Sequence, residues 1–160
     1  SRAQEESWPA GAIVVTGRRL MGRLVLVDAD VDGTPIRAIV DTGAEVSIGN
    51  AALRRRLERR RRLGTMVPIG LLSVTGGRLN AEATSISEIR LGGVTISNMP
   101  IAFADVHPFR KLGLVDRPAI LLGMDALALF RRVSIDFANR RVRLLPLAEQ
   151  GAGLRLAATD

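Results

Sequence analysis

The chain has no cysteine, which excludes disulfides, thiolate zinc sites and cysteine nucleophiles together. Its one histidine, His107, cannot supply a metal cluster alone, and no Gly-x-Ser-x-Gly elbow accompanies it as a triad base. No Gly-x-x-x-x-Gly-Lys phosphate loop occurs, so nucleotide binding has no support. Aromatic residues are 3% of the chain. The core must therefore come from Val, Ile, Leu and Ala, and there is little to stack on a nucleic-acid base. Nothing approaches the roughly 20 apolar residues of a membrane-spanning helix. The chain starts at Ser1 without Met or a charged-then-apolar leader, as a processed, a trimmed and a leaderless chain all would.

What is present suits one globular domain: 160 residues, 47% hydrophobic and 24% charged. The patterned part runs over residues 12–148, with a loose tail over 1–11, holding Trp8, and a second, mobile tail over 149–160 that lacks pattern. The net charge of +7 is local. Within residues 51–63 seven arginines (Arg54, Arg55, Arg56, Arg59, Arg60, Arg61, Arg62) face one glutamate, Glu58. A charge run of this kind reads as a solvated helix face; nucleic acid is not expected as a partner, and membrane contact would have to come through this stretch or a missing N-terminal segment.

The dominant period is two, which predicts a mostly β fold. Residues 24–31 and 36–40 alternate around Asp32-Gly33 and predict a β-hairpin whose second strand runs into Asp41-Thr42-Gly43. Asn50 is placed to cap a helix over residues 51–63, with Leu53 and Leu57 inward and Gly64 ending it. Residues 66–72 and 78–90 predict a second hairpin with a glycine-rich tip. Residues 91–94 give a turn, 101–104 a strand and 106–118 a surface loop containing His107. Residues 119–123 read as a short buried strand, followed by a short helix through Leu127, Leu129 and Phe130. Residues 133–137 and 141–145 form a closing hairpin. Asp28, Asp30 and Asp32 lack the glycine and distal glutamate of a calcium loop, so they read as solvent-facing carboxylates rather than metal ligands.

Placing Gly43 on Gly123 aligns Ile39-Val40-Asp41-Thr42-Gly43-Ala44 with Ala119-Ile120-Leu121-Leu122-Gly123-Met124. Each is an apolar strand entering a glycine turn, though any two such strands would align comparably. Asp-Thr-Gly has a chance probability of about 3% in a chain of this length, and its setting at the end of an alternating hairpin raises its weight. This order of elements, with Asp41-Thr42-Gly43-Ala44 early and Leu121-Leu122-Gly123 late, resembles the retropepsin-like aspartic proteases, the retroviral protease clan and its bacterial members. The resemblance covers roughly residues 20–145.

It implies a closed acid-protease β-barrel carrying one arginine-rich helix and a short C-terminal helix, and an aspartic endopeptidase acting on extended polypeptides without cofactor or metal. Such chemistry pairs a carboxylate that activates water with a carboxylic acid that polarises the scissile carbonyl, the two about 3 Å apart and sharing a proton. Gly43 lets the backbone come close. The resemblance implies that Thr42 bonds across to the other copy's loop, and that Ala44 follows the retropepsin choice where pepsin-like relatives tend to carry Ser. It makes Asp125 a helix-start residue and Leu121 the occupant of the place where a self-sufficient enzyme has its second Asp. Asp41 would then need its mate from a second copy in a homodimer, or from a tandem protease unit. A flap over bound peptide falls on residues 72–79, with Val74, Thr75, Gly76 and Gly77 at its tip. The arginine helix is an insertion relative to the short retroviral pattern. A non-proteolytic dimerisation or peptide-binding module on the same fold stays open, as does an anionic-surface binder. Bacterial relatives tilt location toward the periplasm or cell envelope.

Overall fold

The structure, a computed structural model, describes residues 7–72 and 76–147 and the backbone of 154–156. In chain order the elements are β1 (Ile13–Leu20), β2 (Arg23–Leu26), β3 (Ala29–Val31), β4 (Thr34–Pro35), β5 (Arg37–Val40) and β6 (Ile48–Gly49), then helix α1 (Ala51–Arg59). There follow β7 (Val67–Leu72), β8 (Arg78–Leu91), β9 (Val94–Phe103), α2 (His107–Lys111), β10 (Ala119–Leu122), α3 (Met124–Leu127), β11 (Phe130–Asp136), β12 (Arg141–Pro146) and β13 (Leu154–Leu156). The fold is mostly β, as predicted. One sheet runs β11-β12-β1-β2-β5-β10-β6-β9-β8-β3-β4, with β7 on β8 and β13 on β9. Because β3 continues β2 after two residues, this order returns on itself and the sheet curls.

The first hairpin forms around Asp32 and Gly33, both at positive φ (46° and 83°), the pair of left-handed residues that tight hairpin turns favour. It is split by a bulge. Asp30 pairs with Pro35 but Leu26 pairs with Ala38, so the first strand spends four steps where the second spends three. Beyond the bulge β3 turns away to pair with β8.

Strands β2, β5 and β10 are buried on both faces. Leu24, Leu26, Ala38, Val40, Ile120 and Leu122 enter the main core, and the alternate residues Val25, Ile39, Ala119 and Leu121 enter a second cluster. That is why β5 and β10, which pair in parallel, are nearly continuous apolar runs. The second cluster is covered by Phe109, Leu112 and Leu114. Residues 106–118 are therefore not simply a surface loop: α2 turns a fully buried Phe109 inward, and the prolines that suggested a loop sit at its first turn and beyond its end.

Helix α1 starts where predicted. The Asn50 side chain accepts from Leu53 N at 3.0 Å, and Leu53 and Leu57 are fully buried. It ends at Arg59 rather than near Leu63, because Arg61 adopts a left-handed φ of 53° before Gly64 is reached. The helix after β10 likewise closes at Leu127, and Phe130 opens β11. Two further expectations change. Residues 154–156 of the stretch read as a patternless, mobile tail form β13 on β9, and Trp8 of the N-terminal stretch stacks beneath the Arg132 guanidinium, 4.3 Å from its ring centre.

Candidate active site

Asp41 leaves the end of β5 anchored on both sides. Its N–H donates to Leu122 O of the neighbouring β10 (3.0 Å), and its carbonyl accepts from Ala44 N (3.3 Å), which closes the turn. Oδ1 accepts from Gly43 N at 2.9 Å, and Oδ2 accepts from Arg23 Nη1 at 2.8 Å. The carboxylate is 20% exposed and the arginine side chain 33%. A Cβ on Gly43 would stand 3.3 Å from Oδ1, so glycine leaves the carboxylate uncrowded.

The two glycine turns of the repeat meet backbone to backbone. Met124 N donates to Ala44 O (2.7 Å) and Asp125 N to Glu45 O (3.1 Å). A Cβ on Gly123 would fall 2.8 Å from Ala44 O and from Val46 O, a contact that real side chains do not make. Beside this contact the fully buried Ser47 donates its hydroxyl to Asp125 Oδ1 (2.6 Å) and accepts from Gly123 N (3.0 Å), while Ser47 N donates to Asp125 Oδ2 (3.0 Å). Asp125 is thus the helix-start residue expected of it and also a strut between the turns. A second strut is Asn50. It donates to Leu114 O and Arg117 O and accepts from Leu53 N and Ala119 N, so the residue that caps α1 also holds the start of β10.

Leu121 and Leu122 are buried in β10, on opposite faces. Leu121 therefore puts no carboxyl near Asp41. Thr42, Gly43 and Glu45 are exposed, while Ala44 rests against the cluster that holds Ile39 and Leu121. In the proposed flap, β7 and β8 pair up to Leu72 and Arg78. Gly76 takes φ +88°, Gly76 and Gly77 are exposed, and Val74 and Thr75 lie outside the described residues. Leu71, near the tip, packs against the same cluster as Ala44, so the hairpin end and the Asp41 turn share one apolar support.

Other sequence candidates lie elsewhere. His107 is exposed at the start of α2. Arg54 bonds Glu58 and Glu82 (2.9 and 3.0 Å), and Arg55, Arg56 and Arg59 to Arg62 are exposed. Asp28 and Asp30 are not simply solvent-facing, since Arg90 bridges them at 2.9 and 2.6 Å. Asp32 is half-buried, and burial raises its carboxyl above the ordinary range. Two site residues escape sequence reading, Arg23 and Ser47. Arg23 could have been found only by counting the bulge into the hairpin register.

A family model described as aspartyl protease matches residues 27–126. No curated protein matches the chain. Among solved structures, a retropepsin-like aspartic protease from Rickettsia conorii is similar at TM-score 0.57 and 21% identity, covering 84% of this chain and 89% of that one. The retroviral protease-like domain of Ddi1 from Leishmania major gives TM-score 0.48 and 19% identity, covering 83% of this chain and 100% of that one. The fold described above is retropepsin-like.

Proposed function

This chain belongs to the aspartyl protease family, and from that premise we propose that it is an aspartic endopeptidase whose dyad is Asp41 together with Asp41 of a second copy. The observation that carries the reading is the setting of Asp41. A carboxylate stands at the mouth of a buried parallel strand pair, one oxygen held by Gly43 N and the turn braced against Gly123. The position that would supply a second carboxyl within the chain is the buried Leu121.

In the proposed reaction the ionised carboxyl takes a proton from water as that water attacks the scissile carbonyl, and the protonated carboxyl gives its proton to the carbonyl oxygen. The resulting tetrahedral diol collapses when a proton reaches the amide nitrogen, which leaves as the amine. The brace among Ser47, Asp125 and Gly123 would keep the turn rigid at the moment of reaction, which is what positioning requires. Thr42, exposed at the tip of the turn, is available to contact the partner's loop, and residues 72–79 would close over an extended peptide.

The test is cleavage of an unstructured polypeptide mixture by the full chain and by Asp41→Asn. We expect the variant to keep its fold and lose activity by about a thousandfold or more. Full activity in Asp41→Asn would end the assignment.

A further inference from the structure

Both oxygens of Asp41 are occupied within one chain, Oδ1 by a backbone N–H and Oδ2 by Arg23. The backbone contact is built into the turn. The arginine contact is different, because a single guanidinium nitrogen makes it and the side chain is a third exposed. Such a pair lacks the bidentate fork of strong arginine–carboxylate contacts and belongs to the weak, exchangeable class. Yet it sits on the one carboxyl oxygen that the turn leaves free. The guanidinium at 2.8 Å takes one of that oxygen's two lone-pair sites and stands beside it, so a second carboxyl coming to share a proton there must compete with Arg23 for the same oxygen.

We propose that Arg23 is a positioning residue that latches Asp41 in the unassembled chain, and that assembly of two copies exchanges each Arg23–Asp41 ion pair for the contact between the two Asp41 carboxyls. This rests on the reading of Asp41 as half of a shared dyad. Its consequence is that the single chain is idle twice over, lacking a second carboxyl and holding the first one tied. Breaking two partly buried ion pairs opposes association, so Arg23 sets how concentrated the chain must be before a site forms.

The experiment measures the dimer dissociation constant of the full chain by sedimentation equilibrium, and cleavage as a function of protein concentration. It compares wild type, Arg23→Ala, Arg23→Gln, Asp41→Asn and the double variant Arg23→Ala/Asp41→Asn. The latch predicts that both Arg23 variants associate about tenfold more tightly, and that the concentration giving half-maximal cleavage falls by the same factor. It also predicts that Arg23→Ala changes nothing in the Asp41→Asn background, where there is no anion to release. A purely structural Arg23 would lower the melting temperature and leave association unchanged or weakened. Unchanged or weaker association in both Arg23 variants overturns the latch, as does a chain that stays monomeric at every concentration in all forms. Continued cleavage by Asp41→Asn overturns the protease reading instead, since association is measured without reference to activity.

Discussion

Arg23 and Asp41 face one another across β2 and β5, each two residues beyond the Val25↔Ile39 pairing, with Nη1 and Oδ2 2.8 Å apart. That meeting depends on the bulge between β2 and β3. With an unbulged hairpin continued from Val31↔Thr34, Asp41 would face the following residue, Leu24, instead. A one-residue slip sends the opposing side chain to the other face of the sheet, and Leu24 points into the main core.

Gly123 is the tightest point of the site. Gly123→Ala would place a methyl 2.8 Å from the Ala44 and Val46 carbonyl oxygens, and backbone cannot yield as a flexible side chain does. We expect a loss of about 1–3 kcal/mol in urea unfolding and a drop in cleavage larger than the stability loss explains, because the Asp41 turn must shift.

Asn50 satisfies four backbone groups while fully buried. Asn50→Ala takes a partner from two N–H groups and two carbonyls, of which Leu114 O keeps its bond from Arg117 N, and should cost about 2–4 kcal/mol in chemical denaturation. Asn50→Asp keeps the acceptors but presents a carboxylate to Leu114 O and Arg117 O, so it should also destabilise; stability equal to wild type would show that these bonds contribute little.

Asp32 gives a pH-dependent test. Burial raises its carboxyl, Arg62 opposes this, and Glu88 and Asp30 add to it; Oδ2 is buried without a hydrogen-bond partner. A carboxyl whose folded pKa lies above its unfolded value favours folding when protonated, and loses that contribution as pH rises through the folded pKa. Asp32→Asn should therefore be more stable than wild type at neutral pH, on the order of 0.5 kcal/mol, and the pH-dependent part of the gain should vanish below the carboxyl range. Thermal melts across that range check it; a gain that grows toward acid would contradict the assignment.

What the sequence made legible was local or periodic. Asp41-Thr42-Gly43 announced itself because rare residue types fall together at the end of an alternating strand, and Asn50 because a capping residue stands before a run with Leu53 and Leu57 one turn apart. The missed features join distant segments or hang on a single dihedral. Ser47 and Asp125 bond across 78 residues of sequence, and nothing near either one indicates the other. Phe109 lies in a stretch whose prolines read as loop, and its burial follows only once the second face of β5 and β10 needs a cover. The early end of α1 turns on the φ of Arg61, a conformation that no residue preference at that position predicts.

The most direct test of the central claim, a site shared between two copies of Asp41, is subunit mixing. Wild type and Asp41→Asn are combined at constant total concentration, allowed to exchange, and assayed for cleavage. Since a mixed dimer would hold one competent carboxyl, activity should follow the square of the wild-type fraction, about a quarter of the undiluted rate at an equal mixture. A linear dependence, about half the rate at that point, would mean that each chain carries a complete site and would contradict the account.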